Sequence, residues 1–194
     1  TQLIRATNTL DTPGGKTTVT IGDATTSSNL VQGTDNTISG SGSYGAFLSG
    51  GHTAITAYNF VSNGVPVYQG AASAGHTNNT YQANVNQTIQ VEGSLGQNTT
   101  WSKAGIPFLV LSDVTVPAGR TLTITPGTVV KFQYQSNTSS KRRLYADGQC
   151  FAQGSAAEPI IFTSERDDDH GGDSNRDGSN TVATAGDWGY VYVN

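Results

Sequence analysis

Apolar residues recur along this chain in short alternating runs, and the clearest lie in its second half. Phe108-Leu109-Val110-Leu111, Val114-Thr115-Val116, Leu122-Thr123-Ile124 and Val129-Val130-Lys131-Phe132 read as strands, cut by Pro117-Ala118-Gly119 and Pro126-Gly127. Pro followed by Gly between alternating segments is turn chemistry. Further strands are predicted at Leu144-Tyr145-Ala146, Cys150-Phe151-Ala152 and Pro159-Ile160-Ile161-Phe162-Thr163-Ser164, with turns at Asp147-Gly148 and Gly154. This alternation points Leu144, Ala146, Cys150 and Ala152 inward. The chain closes on Gly186-Asp187-Trp188-Gly189-Tyr190-Val191-Tyr192-Val193-Asn194, read as a strand without a cap. No stretch carries a 3.6-residue apolar period, so the fold class expected is all-β.

The first half is periodic. Thr17-Thr18-Val19-Thr20-Ile21 is a strand candidate, Leu30-Val31 a weaker one. From there Asn36-Thr37-Ile38-Ser39 is echoed by Asn59-Phe60-Val61-Ser62 and loosely by Asn79-Thr80-Tyr81-Gln82. Between these come Gly45-Ala46-Phe47-Leu48, Val65-Pro66-Val67-Tyr68 and Thr88-Ile89-Gln90-Val91, and Gly51-His52-Thr53 returns as Gly75-His76-Thr77. A period of 20 to 24 residues without helices marks a solenoid, in which each coil buries its apolar face only against its neighbours. Several short strands per period, separated by Gly, Asn and Ser, suggest a parallel β-helix with Ile, Val, Phe and Leu stacked inside. Two segments are expected: Asn/Gly/Ser/Thr-rich coils over 1–97, and a second β-helix segment over 98–194 carrying an Asp-rich insertion at 165–187.

Composition narrows the function classes. Charged residues make up 12 % and hydrophobic ones 35 %, with 24 Gly, so solubility rests on Ser, Thr, Asn and Gln. A net charge of −4 and no basic stripe argue against a nucleic-acid partner; Lys141-Arg142-Arg143 reads as a solvated turn. No apolar run approaches the roughly 20 residues that span a bilayer. The absence of Met suggests a processed or excised piece, and the Lys-poor, hydroxyl-rich make-up suggests an extracellular or cell-surface location. Sequons at Asn78, Asn86, Asn98 and Asn137 would allow N-glycosylation in a competent cell. Cys150 is single, so no intrachain disulfide is possible, and it reads as a small core residue.

Charge concentrates in one place. Glu165, Asp167, Asp168, Asp169, Asp173 and Asp177 are six of the chain's 14 acids. The spacing Asp173-x-Asn175-x-Asp177-Gly178 is the first half of a calcium loop, with hard oxygen ligands on alternate residues and a Gly for the turn. Six carboxylates on one segment repel unless a cation sits among them. The metal reading is therefore Ca²⁺ held by Asp173, Asn175 and Asp177, with help from Asp167, Asp168, Asp169 or Asp187. Thr184 stands at the twelfth position, where an EF-hand has a bidentate Glu. An exposed Gly-rich loop is the wrong environment for an acid–base carboxylate pair, so no catalytic residues are expected.

The run from Asp113 to Phe132 resembles the opening coils of right-handed parallel β-helix repeat proteins of the pectin-lyase-like superfamily. So do Pro159–Ser164, the Gly-Gly-Asp-Ser-Asn-Arg-Asp-Gly loop, which is dockerin- and EF-hand-like, and the closing Gly-Asp-Trp-Gly. The resemblance covers residues 98–194 and is nearest to cell-surface and secreted members. It implies a right-handed β-helix. For function it leaves lyases, hydrolases, adhesins and structural repeats all open. Lyases of that superfamily pair Ca²⁺-binding Asp residues with an Arg or Lys base; Arg142, Arg143 and Arg166 are the conceivable ones here.

The remaining candidates are weaker. His52 and His76 are expected to stack on adjacent coils, as a surface ladder or, less simply, sharing a metal; His170 flanks the acidic loop. Trp101 and Trp188 are expected to lock coil edges. The rows Thr18-Val19-Thr20 and Thr121–Thr125 are too isolated for an ice-binding face. The sequence thus predicts a non-catalytic extracellular structural protein, stabilised by Ca²⁺ and self-associating end to end into a filament or long stalk. The alternative is a carbohydrate-active module, a polysaccharide lyase or an adhesin that binds extracellular glycans.

Overall fold

The structure, a computed structural model, describes residues 29–48, 52–70 and 73–194. The strand expected at Thr17–Ile21 lies outside them, as does the side chain of His52. The described chain is all-β and every paired strand is parallel. Six strands make up the first three passes: β1 (Asn29–Ser39), β2 (Tyr44–Leu48), β3 (His52–Val61), β4 (Val65–Gln69), β5 (Ser73–Thr77) and β6 (Thr80–Gln82). They are followed by β7 (Ile89–Ser94), β8 (Thr99–Trp101), β9 (Phe108–Val116), β10 (Thr121–Ile124) and β11 (Val129–Phe132). The last four are β12 (Leu144–Ala146), β13 (Gln149–Ala152), β14 (Ile161–Ser164) and β15 (Val191–Val193).

These strands form three sheets, and each takes its members from successive passes of the chain. One contains β1, β3, β5 and β6; a second runs β8, β10, β13. The third runs β2, β4, β7, β9, β11, β14, with β12 and β15 continuing from the far half of β9. Among the described residues no sheet closes on itself. Phe108–Leu111 and Val114–Val116, expected as two strands, form the single strand β9. Its first half pairs β11 and its second half β12, so it changes direction within its length.

Register follows the apolar rows. Ala46, Val67, Ile89, Phe108, Val130 and Phe162 are successive partners on the third sheet. Of these Val67, Ile89, Phe108 and Val130 are fully buried, each worth roughly 1.5–3 kcal/mol relative to exposure. A one-residue slip would turn the whole row to solvent. That constraint overrides the Asn echo: Asn59 pairs with Thr37 and Thr80, because Ile38, Phe60 and Tyr81 must stack. The two Gly-His-Thr segments are likewise out of step. His52 pairs Ser73, and His76 pairs Ile55, so the histidines do not form a ladder. The structural repeat there is 21 residues, not the 24 that separates the two motifs.

The first passes turn through stacked left-handed corners. Gly40, Ser62 and Ala83 all have positive φ, and so do Ala57 and Asn78. Outside glycine that conformation costs roughly 1–2 kcal/mol per residue, and amides beside the corners offset it. The Asn63 side chain accepts from the Ser41 N–H (3.1 Å) and donates to the Ile38 carbonyl (2.9 Å). Asn84 repeats this one pass on, accepting from the Asn63 N–H (3.0 Å) and donating to the Phe60 carbonyl (3.0 Å). Asn79 does the same with Tyr58 and Ile55. Asn63 and Asn84 are buried, so these bonds satisfy backbone groups that water cannot reach.

The inward row is covered unevenly: Cys150 and Ala152 register with the buried Leu122 and Ile124, and Cys150 packs on the core. Leu144 and Ala146 are fully buried, but Cys150 is half-buried and Ala152 exposed. The reason is that β13 is the last strand of its sheet among the described residues, so nothing lies over it. At residues 186–189 the chain turns instead of forming a strand, and the Trp188 ring stacks on Phe132 at 4.4 Å. Trp101 is in the core, stacked on Phe108 at 5.2 Å.

Candidate functional site: the acidic excursion

Between β14 and β15 the chain leaves the stack and returns, and the Asp-rich segment is this excursion. It lies over the outer side of the third sheet. The outward row there runs Phe47, Tyr68, Gln90, Leu109, Lys131, Thr163. Phe47 is 58 % exposed, whereas Leu109 and Lys131 on the same row are buried. Lys131 is the anchor: its ammonium donates to the carbonyls of Asp167 (2.6 Å) and Gly172 (2.5 Å). Burial pushes its pKa down, against the pull of Asp167, Asp168, Asp173 and Glu165. Two more ties hold the excursion. Asn86 donates to the carbonyl of Ser174 (3.1 Å), and Gly171 packs so near Pro107 that a Cβ would come within 3.1 Å of its ring. The segment therefore touches residues from several passes.

The predicted ligands separate into groups. Asp168, Asp173 and Asp177 each bring a carboxylate oxygen within 4.8 Å of the others. Asn175 joins them, its amide N–H donating to Asp177 and to the Thr181 hydroxyl (both 2.9 Å). Asp173 also shapes the loop, accepting from the N–H groups of Arg176 (2.6 Å), Asp177 (3.2 Å) and Gly178 (2.9 Å). Left-handed Gly178, φ +64°, makes that last contact possible. The Thr181 hydroxyl bond, with the Asn180 N–H, keeps the Asp177 carboxyl below the usual carboxylate range.

Asp167, Asp169 and Asp187 stand apart. Asp167 accepts from the Thr163 hydroxyl (2.6 Å) and the N–H groups of Asp169 and His170, with His170 Nδ1 at 2.9 Å. Burial works to raise its pKa, yet the Thr163 and His170 bonds bring it below the ordinary value. Asp187 is buried, accepts from the N–H and hydroxyl of Thr184 and lies 3.6 Å from Arg166. Burial likewise acts upward there, and Ser164, Thr184 and Arg166 bring the net shift down. Thr184, at the twelfth loop position, is thus occupied in closing the excursion. The Asp169 carboxylate faces solvent.

Two acceptor atoms carry the chemistry of the site. Asp168 Oδ1 and Asn175 Oδ1 are buried without a hydrogen-bond partner. A buried acceptor without a donor costs roughly 1–3 kcal/mol. Three converging carboxylates with such atoms beside them fit a hard divalent cation, which takes six to eight oxygens.

The basic residues have other partners. Arg166 stacks over the Tyr134 ring at 3.4 Å and pairs with Asp187. Arg143 pairs with Asp113 at 3.6 Å and lies over Tyr190, and Arg142 donates to Gln133. Sequence reasoning missed Lys131, Thr163 and Asn86. Only Lys131 left a signal, as a charge set among Val129, Val130 and Phe132. Compared with known proteins, the chain matches no family model, no curated protein and no solved structure.

Proposed function

We propose that this chain is a calcium-stapled parallel β-helix, a right-handed solenoid of the pectin-lyase-like kind, with a structural role at the cell surface or outside the cell. The carrying observation is the convergence of Asp168, Asp173 and Asp177 beside the unpartnered acceptors Asp168 Oδ1 and Asn175 Oδ1. The ion would hold the excursion closed over the passes that Asn86, Pro107 and Lys131 belong to. Support for the solenoid is the chain-ordered, all-parallel strand stacking. Support for end-to-end association is that β13, β14 and β15 each lack a partner on one side among the described residues, leaving strand edges that template pairing. Phe151 and Val193 on those strands are exposed.

Titrating the chelator-treated protein with Ca²⁺ tests the staple. At a hundred times Kd a bound ion adds about 2.7 kcal/mol, or roughly 5–10 °C in Tm for a chain of this size. Asp173→Asn should abolish the rise; equal melting with and without Ca²⁺ would remove the ion from the account. Association is tested separately by light scattering and electron microscopy: a monomer at every concentration would sink the filament.

A second function, an adhesin that binds glycans, has one observation in its favour. Exposed Tyr190 and Tyr192 flank the half-buried Tyr145 beside Arg143 and Asp113. Such rings offer stacking faces with polar groups at their rim.

A further inference from the structure

His76 sits where the early and late passes of the chain meet. Its Nε2 donates to Gln69 Oε1 (2.7 Å) at the end of β4, and its Nδ1 faces the Tyr81 hydroxyl of β6 (3.1 Å). Its ring meets Phe108 of β9 edge-on at 5.9 Å, and its carbonyl accepts from the Ser102 hydroxyl (2.7 Å) just after β8. Two aromatic stacks end at it. Tyr81 stacks on Phe60 of the early passes, and Phe108 on Trp101 of the later ones. The imidazole is therefore a polar joint between the two aromatic stacks.

Burial favours the neutral ring at that joint. With Nε2 donating to Gln69, Nδ1 must accept from Tyr81, whose phenol burial keeps protonated. Protonation would reverse the Nδ1 bond, the Tyr81 hydroxyl accepting instead of donating, and put a charge in a buried site. No carboxylate is among the lining residues of the adjoining cleft of about 190 Å³, which are His76, Asn78, Asn79, Tyr81, Lys103 and Ala104. Among the described residues, the titratable groups that line the cleft with the ring are Tyr81 and Lys103, and Lys103 is already tied to Glu158 at 2.8 Å. The cleft is the space into which a charged ring can move to reach water.

We propose that His76 is an acid-operated latch: neutral, it joins the Phe60–Tyr81 stack to the Phe108–Trp101 stack, and protonated, it moves into the cleft and uncouples them. Burial brings its pKa down to about 4 from an ordinary 6.5. The neutral form is the one the fold favours, so the latch is fully closed above pH 6.5 and weakens as pH falls towards 4.

Trp188→Phe leaves Trp101 as the single tryptophan beside the joint. Its emission, followed from pH 8 to pH 4 at constant Ca²⁺, should shift to the red between pH 6.5 and 4. His76→Gln in that background keeps the hydrogen-bonding groups but cannot charge, and should remove the shift. An equal shift in both proteins overturns the latch. Should His76→Gln not fold, proton NMR of the His76 ring in the Trp188→Phe protein decides. Titration in step with the Trp101 signal supports the latch. Titration near 6.5 with Trp101 unmoved, or none before global unfolding, overturns it.

Discussion

The early passes and the late ones close their corners by different chemistry. Around Asn63 and Asn84 the corner is short and neutral. One amide per pass satisfies one N–H and one carbonyl of its neighbour, and the arrangement repeats as long as the 21- to 22-residue spacing holds. Beyond β14 the corner is opened into the excursion that ends at Asp187, and a buried ammonium, helped by the Asn86 amide, holds it against the sheet. The amide ladder spreads its cost and gain over many pairs. The excursion concentrates both in Lys131 and the carboxylates around it. The lesson is that a stacked sheet tolerates a long insertion where one strong donor can collect its backbone carbonyls.

This contrast can be broken from either side. Lys131→Met should have the largest effect, about 3 kcal/mol, because it strands two carbonyls that received charge-assisted bonds. Urea unfolding measures it, and a loss below about 1 kcal/mol would show that Lys131 does not anchor the excursion. Asn63→Ala should cost about 2 kcal/mol, since the Ser41 N–H and the Ile38 carbonyl lose their partner. Amide exchange would then rise at Ser41 but not in the excursion. Asn86→Ala, removing one neutral bond to the excursion, should cost about 1 kcal/mol and speed exchange around Ser174. Smallest is Lys103→Ala. Its partner Glu158 is as exposed as Lys103 itself, so the expected loss is about 0.5 kcal/mol or less.

Much of the late half is legible in the sequence, because alternation in Val114-Thr115-Val116, Leu122-Thr123-Ile124 and Leu144-Tyr145-Ala146 is a local signal. The acidic excursion is legible as an insertion for the same reason, its composition being unlike its surroundings. Pairing register is not local. Asn36 and Asn59 look equivalent, yet the row of half-buried Ile38, buried Phe60 and half-buried Tyr81 sets them one residue apart. Nor does the spacing of acids tell which carboxylates meet. Asp168 meets Asp173 and Asp177 within an excursion that Lys131 and Asn86 tie down at Asp167 and Ser174, while Asp187, close in the sequence to the loop, is held apart by Thr184 and Arg166.

By itself, then, the sequence determines the all-β class seen in the described residues, where its turns fall, and where its charge lies, since each of these follows from residues within a few positions of one another. Only the tertiary structure decides that Lys131 is an anchor rather than a surface residue, that His76 joins two aromatic stacks, and that three of the acids converge. Those outcomes depend on what the next pass of the chain lays over each side chain, and burial by a distant segment has no local signature.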